Sequence, residues 1–217
     1  MIRELVTDPQ AFFSGKAQDR SVVLELFIVL VVGALGSVGS YYFSQRVFDL
    51  APTGGFSTFQ AMGIVLDPVI GIFIFWIGGA GAAHFLSGLY NGRGPIRRLL
   101  KLTAWAMVPL AVGNIVRSAV IYLTYNDVPS TIIEDEAVGD FTTQANALRD
   151  AVSNDALSAV AMVVLILSVI ASWHLLSYAI ATAKQIDVAD ARKVAAVPSG
   201  IFVLLLLQTL LGSLGIL

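Results

Sequence analysis

The stretch Pro68–Tyr90, which reads PVIGIFIFWIGGAGAAHFLSGLY, contains no Asp, Glu, Lys or Arg. A helix needs about 20 apolar residues to cross the hydrocarbon core of a bilayer, which is about 30 Å thick. Four other stretches are also long and apolar, so the sequence predicts an all-α polytopic membrane protein. We expect a five-transmembrane-helix bundle with spans at Val22–Phe48, Pro68–Tyr90, Leu99–Tyr125, Asp155–Ala183 and Val194–Leu217.

The composition limits the classes of function. Of the 217 residues, 57% are apolar and only 13% are charged, whereas soluble domains usually carry about 25% charged residues. The chain has no cysteine, which excludes a disulfide, a thiolate metal site and a cysteine nucleophile. A net charge of −2 does not suggest nucleic-acid binding. Because no metalloprotease or serine-hydrolase motif occurs, we predict a protein that is not an enzyme and binds no metal or cofactor.

The basic residues predict the orientation. Lys and Arg concentrate on the cytoplasmic side of membranes. Ten of the thirteen lie in the N-terminal tail, the loop between spans two and three, and the loop between spans four and five. We therefore predict a multi-pass protein of the cell membrane with its N-terminus inside and its C-terminus outside. Residues 1–21 would form a cytoplasmic amphipathic segment, and residues 22–217 the membrane domain.

Three short segments are predicted to lie along the membrane surface: Thr7–Gln18, Ser57–Leu66 and Thr142–Ser153. In the first, Thr7 or Asp8 is the expected N-cap and Pro9 takes the first helical position. Phe12 and Phe13 are expected to dip into the headgroup region. Simple anchoring of loops is the plainer interpretation, and a dedicated lipid-binding role is the alternative.

The basic loop after the second span also has two interpretations. Its side chains either hold anionic lipid headgroups, where each charge is worth about 1 kcal/mol, or serve only to orient the protein. The candidate headgroup residues are Arg93, Arg97, Arg98 and Lys101.

Arg117 is the most unusual residue within the predicted spans. Ionisable side chains inside a membrane usually face the bundle interior and a partner. Asn114 lies three residues earlier on the same helical face, and Asp67 or Asp155 is the expected partner of Arg117. These groups form either a structural ion pair or part of a path for a substrate or proton. With both histidines, the candidate intramembrane polar site comprises Arg117, Asn114, His84, His174, Asp67 and Asp155.

Small residues four positions apart predict close contacts between helices. Packing inside the bundle is the ordinary interpretation, and homodimerisation is the alternative. Pro109, in the third span, should kink that helix. The predicted packing residues are Gly33, Gly36, Gly78, Gly79, Gly81 and Ala82.

The second span and the loop after it resemble a known family. Trp76 and the His84-Phe85-Leu86-Ser87 segment precede NGRGPIRRLLKLTAWAMVP at 91–109. This order of a small-residue-rich span, a glycine-containing turn, a basic helix start and a proline is similar to the Yip (Ypt-interacting protein) domain family in its prokaryotic branch. The resemblance covers about residues 8–210.

The resemblance implies a five-span fold and, in eukaryotic members, a role in membrane traffic through Rab-type GTPases. This chain has a short tail without the Asp-Leu-Tyr-Gly-Pro motif of those members, so GTPase binding is doubtful. The resemblance implies a non-enzymatic membrane adaptor or organising protein acting through helix–helix or lipid contacts, with a homo-oligomer or another membrane protein as partner. The alternative is a small transporter, channel or lipid-handling protein with a polar path around Arg117.

Overall fold

The computed structural model describes residues 2–18, 21–50, 58–126, 128, 146, 148, 150 and 156–213. Asp155 and most of the predicted surface segment Thr142–Ser153 lie outside these ranges. In the described part of the chain all regular structure is helical. The helices are α1 Ile2–Thr7, α2 Pro9–Lys16, α3 Val23–Leu50, α4 Thr58–Ser87, α5 Ile96–Ala106, α6 Val108–Asn126, α7 Ala156–Lys184 and α8 Val188–Ser213. A 3-10 turn, Gly88–Tyr90, follows α4.

Four helices of the described chain are long and apolar enough to cross a membrane. They are α3, α4 with the turn after it, α6 and α7, over Val23–Asp49, Met62–Tyr90, Val108–Asn126 and Ala156–Lys184. α8 holds most of the predicted fifth span, and its N-terminal end carries Asp190, Arg192 and Lys193. The fold is therefore all-helical, with four helices of membrane-spanning length among the described residues.

The third span differs from the prediction. Instead of one helix over Leu99–Tyr125, the structure has α5, a break at Met107, and α6 from Val108. Pro109 explains the break, because it has no backbone N–H to continue the helical ladder and its ring restricts the preceding residue. The Met107 N–H donates to the Ala104 carbonyl at 3.1 Å and closes the end of α5. The third span thus consists of the 19 residues of α6.

The second span begins earlier than predicted. From Thr58 onward, the predicted surface segment Ser57–Leu66 is continuous with this span in the single helix α4. Pro68 lies inside α4 rather than at the start of a new helix. Its ring packs on α3, where a Cβ added to Gly36 would lie 3.1 Å from Pro68 Cβ. Close packing on α3 therefore accommodates a proline that the sequence pattern placed at a helix boundary.

The N-terminal segment buries its two phenylalanines against the other helices rather than in the headgroup region. Asp8 caps α2, accepting a hydrogen bond from Ala11 N at 3.1 Å. Phe12 and Phe13 are 3% and 0% exposed and belong to the main core cluster. The ring of Phe12 meets that of Trp105 edge-on, with centroids 5.1 Å apart. The expected insertion of these phenylalanines into headgroups is wrong, because apolar side chains of α5 and α7 bury them in the protein.

α5 is the shared packing partner of the bundle. The long helices contact one another in the order α4, α3, α6, α7, α8, and α8 also contacts α4. α5 contacts α3, α4, α6 and α7, and it buries Leu99, Leu102 and Trp105. A segment predicted to be the first part of a span thus lies mainly against other helices.

Candidate functional site

Polar side chains of α6 bind directly to the backbone of α3. Asn114 Nδ2 donates to the Val32 carbonyl at 2.8 Å. The Ser118 hydroxyl donates to the Leu35 carbonyl at 2.8 Å, and its oxygen accepts the Gly39 N–H at 3.0 Å. Leu35 and Gly39 are four residues apart, so the hydroxyl bridges one position of the α3 ladder. Asn114, a member of the predicted polar site, therefore serves the contact between α3 and α6.

Glycines allow the neighbouring helices to approach closely. A Cβ added to Gly33 of α3 would lie 2.8 Å from Val69 Cα of α4. One added to Gly113 of α6 would lie 2.9 Å from Ser168 Oγ of α7. Gly113 was not predicted, since no Gly, Ala or Ser lies four positions before or after it.

Arg117 lines a cleft between α3, α4 and α6. The cleft has a volume of about 380 Å³. Asp67, one of the two predicted partners of Arg117, lines the same cleft, whereas Asp155 is outside the described residues. Both Arg117 and Asp67 are exposed. The cleft brings together a cation, an anion and hydroxyl groups; its lining residues are Ser40, Phe43, Gly63, Ile64, Asp67, Arg117, Ile121 and Tyr125.

The two histidines lie in different surroundings, and neither lines this cleft. His84 Nδ1 is 2.8 Å from Lys184 Nζ. This contact joins the end of α4 to the end of α7. His174 is exposed on α7, and its ring meets that of Tyr178 edge-on at 5.2 Å. Among the described residues, both histidines therefore lie away from the cleft that Arg117 and Asp67 share.

Lys184 ties the turn between α4 and α5 to the end of α7. Its side chain is buried, and its Nζ donates to the Gly94 carbonyl at 2.8 Å. Its own carbonyl accepts the Arg93 N–H at 2.7 Å. Gly94 has a φ of +136°, and a Cβ there would collide with the Ala183 carbonyl oxygen. The sequence assigned Lys184 only to the orientation of the chain, so this contact was missed.

The glycines of α4 leave an open face. No atom lies within 4 Å of a Cβ added to Gly78 or Gly81. A Cβ on Gly79 would be 3.7 Å from Pro198 Cβ of α8, which is ordinary contact. Ala82 is half-buried. Within the described chain, Gly78 and Gly81 therefore do not provide the packing inside the bundle that was expected of them.

The predicted headgroup residues differ in exposure. Arg93 and Arg97 are exposed. Arg98 is half-buried, and its Nε is buried with no hydrogen-bond partner among the described residues. Lys101 is only 5% exposed. Lys101 therefore belongs to the packed interior, and the arginines supply the exposed positive charge of this loop.

A buried carboxylate near the N-terminal segment was also missed. Glu25 is 2% exposed, and its Oε1 accepts the Trp105 indole N–H at 3.2 Å. The amine of Lys16 lies 5.1 Å from the centroid of the same indole. These contacts tie α2, α3 and α5 together. Among the described residues, no group of three or more His, Asp or Glu side chains is placed to hold a metal ion.

Comparison with known proteins identifies the family. The chain matches the Yip1 domain over residues 3–211, which confirms the resemblance at 91–109. The uncharacterized protein MJ0794 of Methanocaldococcus jannaschii is 25% identical over 122 residues, covering 55% of this chain and 86% of that relative. An archaeal relative is consistent with a prokaryotic branch. No solved structure gives a significant match. The match includes all four helices of membrane-spanning length and the turn that Lys184 holds, and this chain is an integral membrane protein that belongs to the Yip1 domain family.

Proposed function

We propose that this Yip1 domain protein is a non-enzymatic adaptor or organising protein that binds another membrane protein, or a second copy of itself, through α4. The observation that supports this role is how little of α4 the other helices cover. Only 6% of the residues in its most apolar 18-residue stretch are buried, against 33% in α3 and 28% in α7. Of the four helices of membrane-spanning length, α4 has the most surface left for a partner.

The uncovered surface is one continuous helical face. Gly71, Ile74, Gly78 and Gly81 follow one another at spacings of three, four and three residues, so they share that face. In the described chain, no atom of another helix lies within 4 Å of a Cβ added to any of these three glycines. In lipid, burial of apolar surface gives little gain, and helices associate where small residues let backbones approach. The face therefore suits a partner helix.

The proposed topology has α8 as a fifth span, with the N-terminus in the cytoplasm and the C-terminus outside the cell membrane. Arg93, Arg97 and Lys184 support it, because they lie at one end of the bundle, and the positive-inside rule places that end in the cytoplasm. Reporter proteins fused to the two ends of the chain are expected to locate them on opposite sides. Two cytoplasmic ends would mean an even number of spans and would exclude α8 as a fifth.

Photo-crosslinking in native membranes tests the adaptor role. Probes at Ile74 and Ile77, which are 66% and 56% exposed, are expected to capture a recurrent protein or a second copy of the chain. A probe at Leu167 of α7 is the matched control, since it is 58% exposed on a helix without glycine. That probe should capture lipid only. Lipid adducts alone from the α4 probes would argue against the adaptor role.

A small transporter, channel or lipid-handling protein is the second candidate, and the cleft around Arg117 favours it. Its volume of about 380 Å³ exceeds the roughly 30 Å³ that one water occupies in the liquid. In this role, flux of a solute or lipid through proteoliposomes would be lost in Arg117→Leu while the protein still folds. Flux that persists in this variant would remove Arg117 from any such path.

A further inference from the structure

The end of α4 and the start of α5 form a surface that the contacts between helices leave exposed. It combines exposed apolar side chains with basic ones. Phe85, Leu89 and Ile96 are 81%, 77% and 43% exposed. Arg93 and Arg97 are exposed and Arg98 is half-buried. We call this surface the turn patch; it consists of Phe85, Leu89, Arg93, Ile96, Arg97 and Arg98.

The arginines of the turn patch have no acidic partner within the described chain. No ion pair or side-chain hydrogen bond joins Arg93, Arg97 or Arg98 to another described residue. The first turn of α5 contains no acid, and Pro95 offers no side-chain cap. The Nε of Arg98 is moreover buried, and a buried donor without an acceptor is unfavourable. The patch is therefore suited to an anionic ligand from outside the chain.

The protein holds this patch in a fixed position. The Arg93 N–H donates to the Lys184 carbonyl at 2.7 Å, and Lys184 Nζ donates to the Gly94 carbonyl at 2.8 Å. Lys193, at the start of α8, differs from the patch arginines because it pairs with Asp190 at 2.8 Å. This hydrogen bond raises the pKa of Lys193. Asp190 already balances the charge of Lys193. The arginines of the turn patch are therefore the cations left to bind an anionic ligand.

We propose that the turn patch binds the phosphate-bearing headgroup of an anionic phospholipid. The apolar half of the patch decides the class of ligand. Phe85 and Leu89 lie within the last turns of the span that ends at Tyr90, so their exposed side chains face the bilayer. Arg93 lies three residues after Tyr90, the end of this span, and so close to the level of the headgroups. A soluble acidic protein would have to displace lipid from both apolar side chains.

Guanidinium chemistry fits this ligand. Arginine presents a planar fork of donors that binds phosphate oxygens through paired hydrogen bonds. Basic residues next to a span also attract anionic lipids electrostatically. The turn fixes the backbone at Arg93 and Gly94 before the lipid arrives, which reduces the ordering that binding requires. The lipid site does not depend on the adaptor role, because its charged groups, Arg93 and Arg97, lie beyond the end of α4.

Native mass spectrometry of the full-length purified protein, titrated with phosphatidylglycerol and phosphatidylcholine, tests this site. The wild type is expected to prefer phosphatidylglycerol. Arg97→Gln should lower the preference about fivefold, and the Arg93→Gln/Arg97→Gln double variant about thirtyfold, since each arginine contributes about 1 kcal/mol. Arg3→Gln on α1 removes an equally exposed charge and should keep the wild-type preference. Unchanged unfolding temperatures are expected, because no hydrogen bond or ion pair joins these side chains to another described residue.

Three results would overturn the lipid site. The first is a double variant that keeps the wild-type preference, and the second is an equal loss in Arg3→Gln, which would reduce the effect to overall charge. The third is arginine-dependent binding of inorganic phosphate with no preference among lipids, which would assign the patch to free phosphate. A photo-crosslinker at Leu89 that captures lipid in native membranes would support the site, whereas exclusive capture of a protein would assign the patch to that partner.

Discussion

Replacing Gly94 by alanine is expected to lower the free energy of unfolding by about 3 kcal/mol and to expose the α4–α5 turn to protease. Gly94 has a φ of +136°, and backbone strain at such angles costs about 1–3 kcal/mol for other residues. A Cβ there would also collide with the Ala183 carbonyl oxygen. If the turn moves away, two hydrogen bonds to Lys184 are lost, each worth about 1 kcal/mol. Thermal unfolding in nanodiscs and trypsin cleavage after Arg93 and Arg97 measure the two effects.

Gly88→Ala is the matched control in the same connection. No atom lies within 4 Å of a Cβ added to Gly88, and its φ is not positive. This variant should keep the unfolding temperature and the trypsin pattern of the wild type. If both alanine variants unfold at the same temperature, the tight approach of the turn to α7 is wrong.

Hydrophobic length predicts the long helices well, because bilayer thickness sets the number of apolar residues that a span needs. The same criterion fails at α5. Residues 99–106 extend the apolar stretch of the predicted third span, yet they pack among other helices, and an apolar side chain suits either environment. Phe12 and Phe13 show the same ambiguity, since their burial in the core depends on Trp105, which is distant in sequence. Composition alone therefore does not distinguish lipid-facing from protein-facing apolar surface.

The candidate site was harder to predict for a related reason. Lys184 carries a charge typical of a cytoplasmic loop, but its contact with Gly94 joins positions 90 residues apart. Ser118 likewise meets Gly39 across 79 positions. Local spacing contains no information about such pairs. The family pattern at 91–109 marked the region of the turn correctly, while the contacts that hold it came only from the three-dimensional arrangement.

Small-residue spacing identifies helical faces that can pack closely without telling which helix packs on them. Gly33 and Gly78 were predicted for the same reason, and the structure gives them opposite surroundings. A Cβ on Gly33 would lie 2.8 Å from Val69 Cα, whereas one on Gly78 would meet nothing within 4 Å. Gly33 thus serves packing inside the bundle, whereas Gly78 is open to the proposed partner.

Gly33→Leu is expected to lower the free energy of unfolding by about 3 kcal/mol, since overpacking against backbone forces α3 and α4 apart. Gly33→Ala should have a smaller effect in the same direction, because its Cβ alone already meets Val69 and Ile72.

Gly78→Leu, in contrast, should leave the unfolding temperature unchanged and reduce the protein crosslinks formed by α4. Thermal unfolding and crosslink yield, measured on all three variants, test both expectations. Equal destabilisation by the two leucines would show a general effect of leucine in a span and would contradict the close contact at Gly33, while unchanged crosslinking in a stable Gly78→Leu would remove this face from the proposed interface.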